Sequence, residues 1–187
     1  SWTGQYEYLL RAQARLRVMV PLTLLIIFVL LYLNFRSIPK TMIVLLSVPF
    51  SLVGAIWTLW FLDYNLSVAV WVGIIALAGV ATEIGVVMVV YLDQAYERHR
   101  ASGRPVVFPE LLEATVEGAA RRMRPVMMTV STILFGLLPI LWTTGAGADV
   151  MKRIAAPMVG GMISTTILAL FVIPALYLLW RGWPRQD

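Results

Sequence analysis

Long apolar runs alternate with short charged links along the 187 residues, and the lengths of the runs set the fold. Val18 to Phe35, Thr41 to Leu62, Pro125 to Ala148 and Ile154 to Trp180 each keep a charge-free stretch, and Tyr64 to Leu92 carries only Glu83. About 20 helical residues cross the hydrocarbon core of a bilayer, so each run predicts a transmembrane helix. The expected fold is all-α and integral to the membrane. A transmembrane domain over 18–180 has spans at about 18–35, 41–62, 64–92, 125–148 and 154–180, a polar link at 93–124 and a tail at 181–187.

The flanking segments complete the plan. Tyr6, Leu9, Leu10, Ala14 and Leu16, set among charges in residues 1–17, predict an amphipathic connector helix running into the first span. Asn34 to Lys40 is a short basic turn, and Asp63-Tyr-Asn is shorter still. In the long link, Ser102-Gly-Arg-Pro105 breaks the chain. After it, Leu111, Leu112, Thr115, Val116 and Ala119 fall on one helical face, with Glu113, Glu117 and Arg121 on another. This pattern predicts an interfacial helix on the cytoplasmic membrane surface, or else a solvated connector. Pro21, Pro49, Pro139, Pro157 and Pro174 lie in or at the ends of spans, which implies a packed bundle whose neighbours satisfy the freed carbonyls. Ala78 with Thr82, Ala81 with Gly85, and Gly160-Gly161 with Ser164 and Thr165 predict close helix approach.

Composition agrees: 60% hydrophobic residues, 13% charged and a mean hydropathy of +0.82 exclude a soluble domain. Arg36, Lys40, Arg98, Arg100, Arg104, Arg121, Arg122, Arg124, Arg181 and Arg185 lie on one side of the five spans. Arg11, Arg15, Arg17, Lys152 and Arg153 lie on the other. Ten against five places the C-terminus in the cytoplasm and the N-terminal end outside. These flanks account for the net charge of +5, so no nucleic-acid partner is expected. No cysteine is present, which removes disulfides and thiolate metal sites. The opening Ser-Trp-Thr-Gly lacks Met and a signal peptide, so a piece of a longer chain is expected.

Glu83 is the residue that composition does not explain. Nine residues of span follow it, so the nearer water surface is about 13 Å away at 1.5 Å per residue. Left ionised against lipid it would cost roughly 3 kcal/mol or more, so it should face the bundle or a water-filled path. There it could take and release protons, or serve as a protonated structural group bonded across helices. Its own face, Ala76, Gly79, Val80, Val87 and Val90, offers no cation, so a partner must come from another helix. Met151, Met158 and Met162, at spacings of seven and four, supply the second signal. Thioethers suit Cu(I) and Ag(I), and they are equally common as apolar filler. His99, the only histidine, sits in a charged link and reads as solvated; Gly145-Ala-Gly-Ala-Asp149 reads as a tight turn. No nucleophile constellation or phosphate loop is present, and a lone carboxylate makes no enzyme.

Trp2-Thr-Gly-Gln-Tyr-Glu-Tyr8, Val20 to Phe28 running into Leu31 to Phe35, Arg124-Pro125 with Met128-Thr129, Gly136-Leu-Leu-Pro139 and Gly145 to Met162 together resemble the heavy-metal efflux branch of the resistance-nodulation-division superfamily. The likeness runs the length of the chain. It implies the last five of twelve transmembrane helices, the second of two pseudo-repeats, with residues 1–17 ending the periplasmic porter region. It also implies a homotrimeric proton antiporter in the bacterial inner membrane, working with the rest of its own pump, a periplasmic adaptor and an outer-membrane channel. No permanent cofactor is implied; metal ions and protons are the cargo. In that family Ala81 to Met88 is the setting of a proton-relay glutamate, which makes Glu83 the relay and assigns its acidic counterpart to the fourth helix, outside this chain. Copper and silver exporters resemble the chain at Val150-Met151, so Met151, then Met158 and Met162, are the expected metal residues, and Arg11, Arg15 and Arg17 the expected coupling residues. Val126 departs from the lysine that such exporters often carry after Arg-Pro and resembles the zinc-type pattern. The resulting reading is a Cu(I)/Ag(I) exporter, with a zinc, cobalt or nickel exporter or a passive bundle anchoring porter and trimer as alternatives.

Overall fold

In the computed structural model, which describes residues 3–101 and 108–182, the described residues are mainly helical with no strand among them. The helices are α1 (Thr3–Phe35), α2 (Ile38–Leu45), α3 (Ser47–Phe61), α4 (Val68–Ala101), α5 (Phe108–Trp142), α6 (Ala148–Ile167) and α7 (Ile173–Gly182), with a π-helical turn at Leu168–Val172 joining α6 to α7. They supply the five expected spans: Ala14–Phe35, Ile38–Phe61, Val68–Ala101, Phe108–Trp142 and Ala148–Gly182 are each long and apolar enough to cross a membrane. The Ser102–Pro105 breaker and the tail beyond Gly182 lie outside the described residues.

The chain divides into two units, residues 1–41 and 42–187. In the first, the expected connector and the first span are a single helix, α1, which continues through Pro21. Tyr6 and Leu9 of its expected amphipathic face lie outside the described side chains. Arg36, with φ of 48°, ends the helix.

In the second unit, Leu46 interrupts α2 and α3 for one residue while keeping helical angles. Pro49 explains the interruption, because it has no N–H for the carbonyl of Leu45 four residues before it. The core lies where α3, α4 and α6 meet, and backbone approaches backbone there. A Cβ on Gly160 would strike Thr58 Oγ1, and one on Gly54 would strike the Gly160 carbonyl oxygen. A Cβ on Gly73 would strike the Ile154 carbonyl, and one on Gly161 the Leu77 side chain. Ser164 Oγ bridges the same seam, donating to the Ser51 carbonyl at 3.3 Å. The expected small-residue contacts at Gly160-Gly161 and at Gly85, which meets Ser47, are therefore present; Gly54 and Gly73 extend them.

Hydroxyl groups along the spans turn back on their own helices. Thr58 donates to the Gly54 carbonyl at 2.9 Å, Thr82 to Ala78 at 2.8 Å and Thr132 to Met128 at 2.8 Å. Each thus carries its polar group through the span without needing water. The helix expected over Leu111 to Arg121 forms and runs without a break through Pro125 into the fourth span as α5. Gly145 and Gly147, at φ of 135° and 82°, make the tight turn between α5 and α6, as glycine can without steric cost.

Gly160→Ala should therefore destabilise the complete protein by about 1–3 kcal/mol, the usual cost of overpacking. Gly136→Ala, on a helix surface with nothing near the added methyl, should be neutral or stabilising. Thermal unfolding in detergent, followed for both variants, reads the difference.

Candidate functional site

α4 turns one face to the bundle and the other away from it. Leu77, Ala81, Ile84, Gly85 and Met88 recur at helical spacing and are buried. Glu83 stands two residues after Ala81, which at 100° per residue places it on the opposite side. It is exposed there, beside exposed Ala76 and Gly79, with open space above Gly79. Glu83 thus faces out of this bundle rather than into it. None of the ion pairs found among the described residues includes it. Val126, the position noted for its departure from lysine, is 1% exposed in the packing of α5.

The three methionines of α6 separate by depth. Met151 is 51% exposed, Met158 is half-buried and Met162 is fully buried in the core. Of the three, only Met151 lines the cavity of about 240 Å³ that the glycine turn makes with Ile140, Thr143 and Thr144. The turn fixes Met151 directly, since its N–H donates to the Gly147 carbonyl at 3.2 Å. The arrangement offers one accessible thioether among threonine hydroxyls and carbonyls. Met162 fills the core. Among the described residues no three His, Cys, Asp or Glu side chains come together as a metal cluster. Arg11, Arg15 and Arg17 are exposed along α1.

Two polar clusters at the far end of α4 were not apparent from sequence. Glu117 of α5 pairs with Arg121 at 2.7 Å, as the spacing of four foretells, and also lies 3.8 Å from Arg98 and from His99 of α4. His99 is therefore more enclosed than a solvated side chain, with Nδ1 3.1 Å from the Ala95 carbonyl oxygen. The second cluster joins Asp93 to Tyr177 and Arg181 of α7. Tyr177 and Arg181 share a face by their spacing of four, but their meeting with Asp93, 84 positions before Tyr177, leaves no periodic signal.

Helices of this length and apolarity, tied by glycine seams and carrying a single carboxylate at mid-span, define a polytopic α-helical membrane protein. A profile of the AcrB/AcrD/AcrF family matches residues 1–181, and the chain belongs to that family. It is 55% identical over 183 residues to the cation efflux system protein CusA of Escherichia coli K12, covering 96% of this chain and 18% of that one. It is 54% identical to the putative cation efflux system protein SilA of Salmonella typhimurium, with the same coverage. Identity to the cobalt-zinc-cadmium resistance protein CzcA of Cupriavidus metallidurans is 38%, over 96% of this chain and 16% of the relative. The crystal structure of a heavy metal efflux pump, crystal form II, superposes with a TM-score of 0.82 at 38% identity, over 95% of this chain and 17% of that one. These relatives bear out the resemblance to the heavy-metal efflux branch, and the chain spans less than a fifth of their length.

In the complete protein, oxidation by dilute peroxide should convert Met151 to the sulfoxide before Met158, and Met158 before Met162, among the three methionines of α6, because exposure of the thioether sets the rate. Peptide mass spectrometry over a time course measures the order, and equal rates for the three would contradict their difference in depth.

Proposed function

We propose that this chain forms the second-half membrane bundle of a proton-driven heavy-metal exporter, a secondary active transporter rather than an enzyme, that carries Cu(I) or Ag(I) outward and protons inward. The observation that carries the reading is Glu83, a lone carboxylate at mid-span on a face of α4 that the bundle leaves uncovered. Hydrocarbon does not tolerate an ionised carboxylate there, so the face belongs against the other membrane half or a water path. A proton taken up on Glu83 removes its charge, and releasing it restores the charge. That alternation biases two helix packings if they differ in affinity for the proton.

The metal assignment is supported by the softness of the Met151 thioether and by the accessible cavity it lines. Higher identity to the CusA and SilA proteins than to CzcA favours it over a zinc, cobalt or nickel exporter. Met158 and Met162 act in packing and in orienting α6. Arg11, Arg15 and Arg17 of α1 transmit motion to a porter region outside the membrane. The protein works in the bacterial inner membrane with its C-terminus in the cytoplasm, as a homotrimer with the rest of its own chain, a periplasmic adaptor and an outer-membrane channel.

In liposomes containing the complete pump, Glu83→Gln should abolish Ag(I)-driven proton flux, lowering it at least about tenfold at matched protein levels, while Ag(I) binding is retained. Undiminished flux would make Glu83 structural. Flux driven by Zn(II) and not by Ag(I) in the unaltered pump would select the zinc-type reading.

A further inference from the structure

The last span changes character at Leu168–Val172, where the helix opens into a π turn. Pro174 follows two residues later and supplies no N–H for the Leu170 carbonyl, and a π turn is one way a helix absorbs that loss. Beyond the turn lies α7, only ten residues long, with Ile173, Pro174 and Tyr177 buried. Its attachment to α4 is specific. The fully buried Tyr177 donates its hydroxyl proton to Asp93 Oδ1 at 2.6 Å. Arg181 Nη2 approaches the same oxygen at 3.8 Å. The Arg181 guanidinium carbon lies 4.2 Å from the centre of the Tyr96 ring and 4.7 Å from that of Trp180. Arg181 Nε is buried without a hydrogen-bond partner, so the group is held by stacking and charge rather than by full hydrogen bonding.

Asp93 and Tyr96 lie three apart on α4, and Tyr177 and Arg181 four apart on α7, so two residues from each helix close on one another. Asp93 is ten residues beyond Glu83 on the same helix, about 15 Å along its axis. We propose that Asp93, Tyr177 and Arg181 are a latch that positions the Glu83 helix against the last span, with Leu168–Val172 as the hinge about which α7 separates from α4 when Glu83 changes protonation. This rests on the relay reading of Glu83. The three are positioning residues and touch no cargo.

Amide hydrogen exchange over residues 173–182 of the complete pump in nanodiscs tests it. Tyr177→Phe should speed exchange there about 10-fold or more, the equivalent of losing one hydrogen bond to a charged group. Asp93→Asn, which keeps an acceptor oxygen, should do so less, and provides a second readout if Tyr177→Phe folds poorly. Glu83→Gln, a mimic of the protonated state, should change exchange over 173–182 several-fold when the latch is intact and not at all in combination with Tyr177→Phe. Unchanged exchange in both latch variants, or no response to Glu83→Gln with the latch intact, would overturn the proposal and leave a static staple. The relay reading is judged separately, by whether Glu83→Gln leaves Ag(I)-driven flux undiminished.

Discussion

Hydrocarbon cannot solvate a peptide group or a charge, and each feature of this bundle answers that constraint. Backbone polarity is consumed within helices, hydroxyls fold back onto carbonyls one turn away, and the one break in the second span falls where Pro49 withholds an N–H. With no hydrophobic gain between helices in lipid, packing must come from close approach, which Gly54, Gly73, Gly160 and Gly161 make possible. A mid-span carboxylate on an uncovered face is something this unit does not satisfy by itself. The same constraint that builds the bundle therefore marks Glu83 as the point where it depends on something else.

The spans, the glycine turn and the small-residue seam were legible in sequence because they rest on run length, φ and side-chain size. Which face of α4 turns inward was not. In a soluble helix, polar and apolar residues separate inside from outside. In α4, Val86, Val87 and Val90 on the outer side are as apolar as Leu77 and Val89 on the inner side, so periodicity carries little contrast. Glu83 was found by its chemistry, and its direction follows only from where Ala81 and Gly85 pack. The continuity of α5 through Pro125 was equally hidden, since a membrane neighbour can compensate for a proline that would end a soluble helix. The Asp93–Tyr177 bond joins residues 84 positions apart and has no local signature.

Together these contacts divide the labour along α4. Its glycine and alanine face is seated against α3 and α6, its far end is bound to α5 through Arg98 and to α7 through Asp93, and its open face carries the carboxylate. One unbroken helix of 34 residues joins that face to the contacts with the last span. Met151, at the other end of the last span, lines the cavity beside the glycine turn.

The central claim is that Glu83 exchanges a proton as metal is moved. Infrared difference spectroscopy on the complete pump, before and after Ag(I) is added, reads this directly. The account predicts a change in the protonated-carboxyl carbonyl band that disappears in Glu83→Gln. A difference spectrum with the same carboxyl band in both proteins would contradict it.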